Sequence, residues 1–307
     1  MTRPPPDIQA RGPIGRKLIR AVRRAQNRKV VDLSAIRKAK EAAENYQEGE
    51  KRPWEMEDRH PVHAFYIYAQ RQLSILVEQV SALREVRALV DAISAAESEY
   101  MPSGPPMSPL TGTYFFYWSV CDMVLDSSGE TLASCTLDLV RDIGTDPILL
   151  EGMETLSSSR MGLYVHQGRD GDKVILGELV TGTTRTCVVP AGWLDGRGEL
   201  WLVRVVPPPP FMEGMPHIAL TTPYVIVSPY LPYWEAYLDR TLAPFGVSDR
   251  AIAYSVLMKY GQGPRYWPEY IFEAYGNHRP EAVFLHGLPD VPESRPWSKV
   301  SQERRGT

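Results

Sequence analysis

The chain is poor in cysteine and contains no long apolar run, and each absence removes a class of protein. Its three cysteines, Cys121, Cys135 and Cys187, form no close pair and are too few for a disulfide framework or a zinc ribbon. We therefore expect reduced, buried thiols, as in a cytoplasmic protein. No stretch approaches the roughly 20 apolar residues of a membrane span, and the first residues do not resemble a secretory leader. We expect a soluble chain without a transmembrane segment.

Motifs of catalysis and cofactor binding are also missing. The chain has no GxxxxGK[ST] or GxGxxG phosphate loop, no GxSxG nucleophile turn and no HExxH zinc motif. Carboxylates and imidazoles that together can bind a divalent ion occur at Glu55, Glu57, Asp58, His60 and His63. Because Pro61 separates the two histidines, a solvated loop that caps the next helix is the simpler interpretation. The sequence predicts no catalytic residue, no metal site and no cofactor.

The composition is that of an ordinary globular chain, with 43% hydrophobic and 23% charged residues. Its 307 residues exceed the usual length of one domain, so we expect two structural units. We predict an α+β fold, in which a helical region with one long helix precedes a small antiparallel β-barrel or sheet flanked by helices. The expected division is a basic arm and helix over 1–31, a helical region over 32–100, a proline- and glycine-rich linker over 101–113, and an α+β domain over 114–307.

Positive charge is concentrated at the N-terminus, although the net charge of the chain is −3. Residues 1–31 hold nine basic side chains and one acid. From Ile14 to Val31 apolar residues recur at spacings of three and four, which predicts a helix with a narrow apolar stripe and a wide basic face. The candidate nucleic-acid-binding residues on this face are Arg16, Lys17, Arg20, Arg23, Arg24, Arg28 and Lys29.

Three interpretations of this basic face are open. Dense positive charge repels itself unless an anion lies near, and phosphate is the commonest polyanion in cells, where each neutralised phosphate releases a counterion. Among possible partners, a nucleic acid is therefore favoured over a membrane surface. The alternatives are a solvated surface helix whose charges meet acids elsewhere in the chain, and a helix that lies on a membrane surface.

The strongest helical pattern runs from Phe65 to Tyr100. Apolar residues recur there every three or four positions, and neither proline nor glycine interrupts them. We expect one unbroken helix about 54 Å long. A helix of this length packs along others or pairs with a copy of itself. An antiparallel helical hairpin within one chain and a homodimeric coiled coil both fit the pattern.

The period of the apolar pattern changes to two between residues 161 and 227. Five short candidate strands alternate there with glycine-containing turns, which is typical of a small barrel of SH3-like or OB-like size, or of an open antiparallel sheet. The expected core residues are Leu163, Val165, Ile175, Leu179, Val188, Leu200, Leu202 and Val203.

Aromatic residues cluster at 114–118, 224–237 and 260–275. Small barrels that bind single-stranded nucleic acid stack bases on exposed aromatic rings. Aromatic residues at helical spacing more often belong to a core or an interface, and we favour that interpretation.

These features together predict a non-catalytic, nucleic-acid-associated binding protein that uses its basic N-terminal helix, alone or within a larger complex. The alternative is a protein–protein adaptor or structural subunit that dimerises through the long helix. An enzyme of unfamiliar type is the third interpretation. The pattern does not distinguish DNA from RNA.

Overall fold

The computed structural model describes residues 12–27, 58–104, 107–125, 128–246 and 249–290. Its α-helices are α1 (Pro13–Asn27), α2 (Pro61–Ser81), α3 (Arg87–Tyr100), α4 (Gly112–Tyr117), α5 (Leu132–Ile143), α6 (Pro147–Ser158), α7 (Leu231–Leu242), α8 (Arg250–Tyr260) and α9 (Tyr266–Ala274). Its strands are β1 (Met161–Asp170), β2 (Lys173–Glu178), β3 (Thr184–Val188), β4 (Leu200–Val206), β5 (His217–Ala219), β6 (Tyr224–Ile226), β7 (Tyr275–Arg279) and β8 (Ala282–Leu285). The predicted α+β class is confirmed.

The prediction of one unbroken helix over 65–100 is wrong. Helix α2 ends at Ser81, and residues 82–86 form a turn before α3 begins. Ser81 Oγ donates a hydrogen bond to the carbonyl four residues earlier at 2.7 Å, a contact that bends helices. Leu83 then takes an extended conformation, with φ −89° and ψ 136°. Helix α1 packs against this turn, where Val86 is buried. The break therefore accommodates a neighbouring helix, which the periodicity of one segment does not reveal.

The apolar stripe of this segment packs inside the chain. Leu73, Val80 and Val86 are buried in one cluster together with Leu18 of α1 and Leu156 of α6. A homodimeric coiled coil would need the same side chains on the surface. The described residues therefore offer no exposed stripe through which α2 and α3 would pair with a second copy.

Strands β1 to β5 close into a small barrel. The order around the barrel is β1-β2-β3-β5-β4, and β4 pairs again with β1. Strand β1 can pair with both β2 and β4 because a β-bulge between His166 and Gly168 bends it. The pairing is antiparallel except between β3 and β5, which run parallel. An entirely antiparallel barrel is therefore not formed, because closing an odd number of strands on itself forces one parallel pair.

Three more strands extend the sheet beyond β4, in the order β6, β8, β7. β6 and β8 are parallel, whereas β8 and β7 form an antiparallel hairpin. β7 is the outer edge of the sheet, and all five of its residues are exposed.

Apolar side chains cover both faces of the sheet. The barrel interior is filled by residues such as Val174, Leu176 and Trp201. Helices α7, α8 and α9 cover the outer face of β1, β4, β6 and β8. A third cluster joins α1, α2, α5 and α6 to the barrel through Val206 and Ile218. The helices therefore surround much of the barrel.

The expected core residues divide by depth. Those fully buried are Leu163, Leu200, Leu202 and Val203, and those partly buried are Val165, Ile175, Leu179 and Val188. Val203 points into the barrel, whereas the three buried leucines lie on its outer face beneath helices. The expected core residues thus come from both faces of the strands, because the inner face packs in the barrel interior and the outer face packs against helices.

Apolar packing crosses the predicted linker at 101–113. Ala96 and Tyr100 of α3 belong to the cluster on the outer face of the barrel, as does Leu110 within the linker. The division into two units stays a prediction. Within the described ranges, no helix combines the length and the apolar character needed to cross a membrane.

Candidate nucleic-acid interface

Helix α1 carries the predicted basic face and lies against α5 and the 82–86 turn. Its apolar stripe is short, and the apolar side chains in it are buried or packed against the core. Leu18 and Ile19 are 0% and 5% exposed, and Ile14 and Val22 pack at the edge of the same cluster. The basic helix is therefore anchored to the body of the molecule.

A distant carboxylate caps the N-terminus of α1. Glu130, which is buried just before α5, accepts hydrogen bonds from the backbone N–H groups of Ile14 at 2.9 Å and Gly15 at 2.8 Å. It thereby satisfies two donors that the helix leaves unpaired and interacts favourably with the positive end of the helix dipole. Glycine leaves room for this approach, because the carboxylate side chains would have to shift if a larger residue stood at either position. A Cβ atom at Gly12 would lie 2.4 Å from Glu130 Oε1, and one at Gly15 would lie 2.6 Å from Asp138 Oδ2.

A bidentate ion pair holds the other end of α1. Arg23 Nε and Nη2 donate to the two carboxylate oxygens of Asp142 at 2.9 and 2.5 Å. The pair connects the C-terminal parts of α1 and α5, and the hydrogen bonds raise the pKa of Arg23. The orientation of the basic face is therefore set at both ends of the helix. Within the predicted set, Arg23 has its charge partner inside the chain.

The other described cations of α1 have no such partner. Arg16, Lys17, Arg20 and Arg24 are exposed, and none of them contacts a carboxylate within the described ranges. Most exposed arginines elsewhere are paired: Arg84 with Glu85, Arg87 with Asp91, Arg141 with Asp138 and Glu154, Arg169 with Asp195, Arg240 with Asp290, Arg250 with Asp239, and Arg265 with Glu99. Arg28 and Lys29, also predicted for the site, lie outside the described residues. Helix α1 therefore concentrates positive charge that the described part of the chain does not neutralise.

Among the described residues, the other candidates from the sequence form neither a metal site nor a thiol site. No group of His, Cys, Asp and Glu able to hold a metal ion occurs among the described residues, and Glu55 and Glu57 lie outside them. The three cysteines are free and buried. Burial raises the pKa of Cys121 to about 11 and that of Cys187 to about 12, so both thiols stay protonated at neutral pH. The expectation of buried thiols is confirmed.

A cleft of about 1080 Å³ opens beside the N-terminus of α1, between α5, α6 and α8. Its charged groups are largely engaged with one another. Glu130 caps α1, and Arg141 donates to Asp138 and Glu154, each at 2.7 Å. Lys259, which also lines the cleft, donates a hydrogen bond to Asp122. The buried charged side chains Glu130, Asp138 and Lys259 therefore have partners among the described residues and contribute to the packing of the helices.

The sequence pattern does not predict the ionic cluster beneath this cleft. Lys259 Nζ donates to Asp122 Oδ1 at 2.7 Å, and Arg204 bonds the second oxygen of the same carboxylate. Lys259 also donates to the carbonyls of Ser157 and Ser159 at 2.5 and 2.8 Å. Because Asp122 and Arg204 are 3% and 1% exposed, this pair lies in the interior. The available signal was a single arginine within the apolar run LWLVRVV, since a charge there is seldom buried without a partner.

Most residues of the aromatic clusters belong to the core, as favoured from the sequence. Tyr114, Tyr117, Trp234, Tyr237 and Tyr270 are buried. The large exposed aromatic residues of the described part are Phe211, Tyr230, Tyr233 and Tyr275.

Comparison with known proteins gives no relative. No family model matches the chain, and neither a curated protein nor a solved structure does so. The function is therefore argued from the geometry of the described residues.

Proposed function

We propose that this chain is a non-catalytic, nucleic-acid-associated binding protein that holds phosphates against the exposed face of α1, alone or within a larger complex. The observation that carries the proposal is the set of four exposed cations, Arg16, Lys17, Arg20 and Arg24, without a carboxylate partner in the described part of the chain. They stand on a helix whose position Glu130 and Asp142 fix.

The spacing of these cations suits a phosphate backbone. Arg16, Arg20 and Arg24 follow one another at intervals of four residues, so they form one stripe about 12 Å long. Phosphates on one strand of duplex DNA recur about every 3.4 Å along the axis, so the stripe spans about four of them. Such contacts go to the backbone and carry no base preference. We therefore expect affinity that depends strongly on salt and weakly on sequence.

The barrel is compatible with this proposal but does not carry it. Closed five-stranded barrels of OB-like size include many that bind oligonucleotides, yet a fold by itself does not determine a function. The adaptor alternative draws less support, because the apolar stripe of α2 and α3 packs inside the chain. The enzyme alternative also draws less support, because the buried charged side chains that line the cleft have partners among the described residues.

Neutralising the four cations tests the proposal. The variant Arg16→Gln/Lys17→Gln/Arg20→Gln/Arg24→Gln retains Arg23 and therefore the ion pair with Asp142. Because glutamine has nearly the helix propensity of lysine and arginine, α1 should persist. The matched control neutralises four exposed arginines that have carboxylate partners, namely Arg84, Arg87, Arg240 and Arg250.

Fluorescence anisotropy with labelled single- and double-stranded DNA and RNA, at several salt concentrations, measures the binding. Loss of four phosphate contacts should lower the slope of log affinity against log salt by about 3.6 for duplex DNA. The control should retain most of the wild-type slope. Absence of wild-type binding to all four probes at low salt would overturn the proposal, and so would equal binding by the wild type and the α1 variant.

A further inference from the structure

Another exposed arginine, Arg279, lies near the opposite end of the sequence on the edge strand β7, and it has no carboxylate partner among the described residues. The guanidinium of Arg279 lies 5.8 Å from the ring centre of Trp193 and 5.4 Å from that of Phe284. The two rings meet edge to face, with centres 5.4 Å apart and planes at 86°. We call Arg279, Trp193, Phe284 and the neighbouring Asn277 the β7 surface.

The barrel core holds the aromatic part of this surface in place. Trp193 Nε1 donates to Glu199 Oε2 at 3.2 Å, and the same oxygen accepts from Trp201 Nε1 at 3.2 Å. Trp201 is fully buried in the barrel interior. The Trp193 ring is therefore oriented by a bond to a rigid element, although the ring itself is only partly buried.

The polar part of the surface is open to solvent. Arg279 is exposed, and it contacts no carboxylate within the described ranges. Asn277 pairs with Phe284 in the β7–β8 register, so both side chains lie on the face of the sheet that Arg279 shares. No strand pairs with the outer edge of β7 among the described residues. An unpaired planar cation supported on aromatic rings thus stands at a free sheet edge.

We infer that the β7 surface binds single-stranded nucleic acid, with one base stacked on the Arg279 guanidinium and an adjoining phosphate drawn to its charge. This inference rests on the proposed function and adds a second contact to α1. Unpaired bases stack on arginine planes and aromatic rings, which gives binding that tolerates many sequences. In a duplex the base faces are covered by their neighbours, so the β7 surface should not engage it in this way. The Asn277 amide can bond to the edge of the stacked base.

The substitution Arg279→Lys separates stacking from charge, because lysine keeps the positive charge but lacks the planar group. Arg265→Lys, an exposed arginine that is paired with Glu99, is the matched control. The full-length chain is titrated into a labelled 12-nucleotide single strand, the corresponding duplex, and an abasic strand of the same length and charge. We expect Arg279→Lys to weaken single-strand binding about tenfold and to leave duplex binding unchanged. The abasic strand should bind both variants equally.

The outcomes separate this inference from the proposed function. If Arg279→Lys and Arg265→Lys bind the single strand alike while the α1 variant fails to bind, the β7 inference is overturned and the proposed function stands. If the wild type binds no probe, both are overturned. Equal binding of the abasic and ordinary strands would also overturn base stacking. An acidic 12-residue peptide that displaces the single strand from the wild type but not from Arg279→Lys would show that β7 accepts a peptide instead.

Discussion

Gly15 and Glu130 are 115 residues apart in the sequence, yet the backbone N–H of Gly15 donates to Glu130 Oε1 at 2.8 Å. The same carboxylate accepts from the N–H of Ile14, and its burial excludes the water that would otherwise compete for it. These two hydrogen bonds to Glu130 therefore fix the position of the N-terminus of α1. The position of the proposed phosphate-binding face depends on a residue that carries no positive charge.

Replacing Glu130 with alanine should lower the free energy of unfolding by about 1–2 kcal/mol, because two helix N–H groups lose their acceptor. It should also weaken nucleic-acid binding, although it removes no cation. Urea unfolding and anisotropy measure the two effects. Glu151→Ala, which removes an exposed carboxylate from the same cleft, is the control. A Glu130→Ala variant as stable as this control would contradict the capping role.

Replacing Asp142 with asparagine should strengthen nucleic-acid binding. The change leaves the Arg23 guanidinium without its charge partner, so α1 presents one more cation to phosphate. One added contact is worth up to about eightfold in affinity at 0.1 M salt. The free energy of unfolding should change little, because Arg23 is largely exposed and water screens the ion pair. Salt titration measures the gain, which should vanish at high salt. Unchanged affinity at low salt would show that Arg23 does not reach the phosphates.

Replacing Lys259 with methionine should destabilise the fold by about 3 kcal/mol, because Asp122 and two carbonyls lose a buried partner. Lys173→Met, which breaks a pair with the exposed Asp172, should lower the free energy of unfolding much less, because water screens that pair. Urea unfolding compares the two. If Lys259→Met does not fold, Lys259→Gln keeps a hydrogen-bond donor and measures a smaller loss. A loss no greater than that of Lys173→Met would contradict a structural role for the ionic cluster.

Stability should fall as the pH drops from about 6.5 toward 4. Burial, together with the nearby Arg185, lowers the pKa of His217 to about 4. Burial and Arg59 lower the pKa of His63 to about 4 as well. The unfolded chain therefore takes up protons first, at the ordinary pKa of histidine. The histidines contribute their full stabilisation above the unfolded-state pKa of about 6.5. As the pH falls from there, this stabilisation is lost progressively until the pH reaches the folded-state pKa.

The urea midpoint measured between pH 7.5 and 4.5 tests this dependence. His217→Gln should flatten the curve, because one of the histidines that resist protonation is gone while an acceptor for the Arg185 N–H remains. His278→Gln, on the exposed strand β7, is the control and should follow the wild-type curve. Parallel curves for His217→Gln and the wild type would rule out His217 as a source of the acid sensitivity.

Local patterns in the sequence were enough for the mixed fold class, the run of short strands and the basic helix, whereas a closed barrel and an open sheet both fitted the strand pattern. Apolar residues recur every two positions in a strand that buries one face, and every three to four positions in a helix that buries one face. Both patterns are visible within about a dozen residues. The exposed cations of α1 follow from the same local pattern. The sequence also placed most of the aromatic clusters in the core, since helical spacing of aromatic side chains is typical of packed surfaces.

The break after Ser81, the parallel pairing of β3 with β5, and the anchoring of α1 required the assembled structure. Each depends on residues that are distant along the chain: α1 against the 82–86 turn, β5 beside β3, Glu130 beneath Gly15. The Arg279 stack on Trp193 is of the same kind. Periodicity reports how a segment meets an apolar surface, but not which other segment provides that surface. Charge partners, helix breaks and strand directions are set by that choice of neighbour, which exists only once the chain has folded.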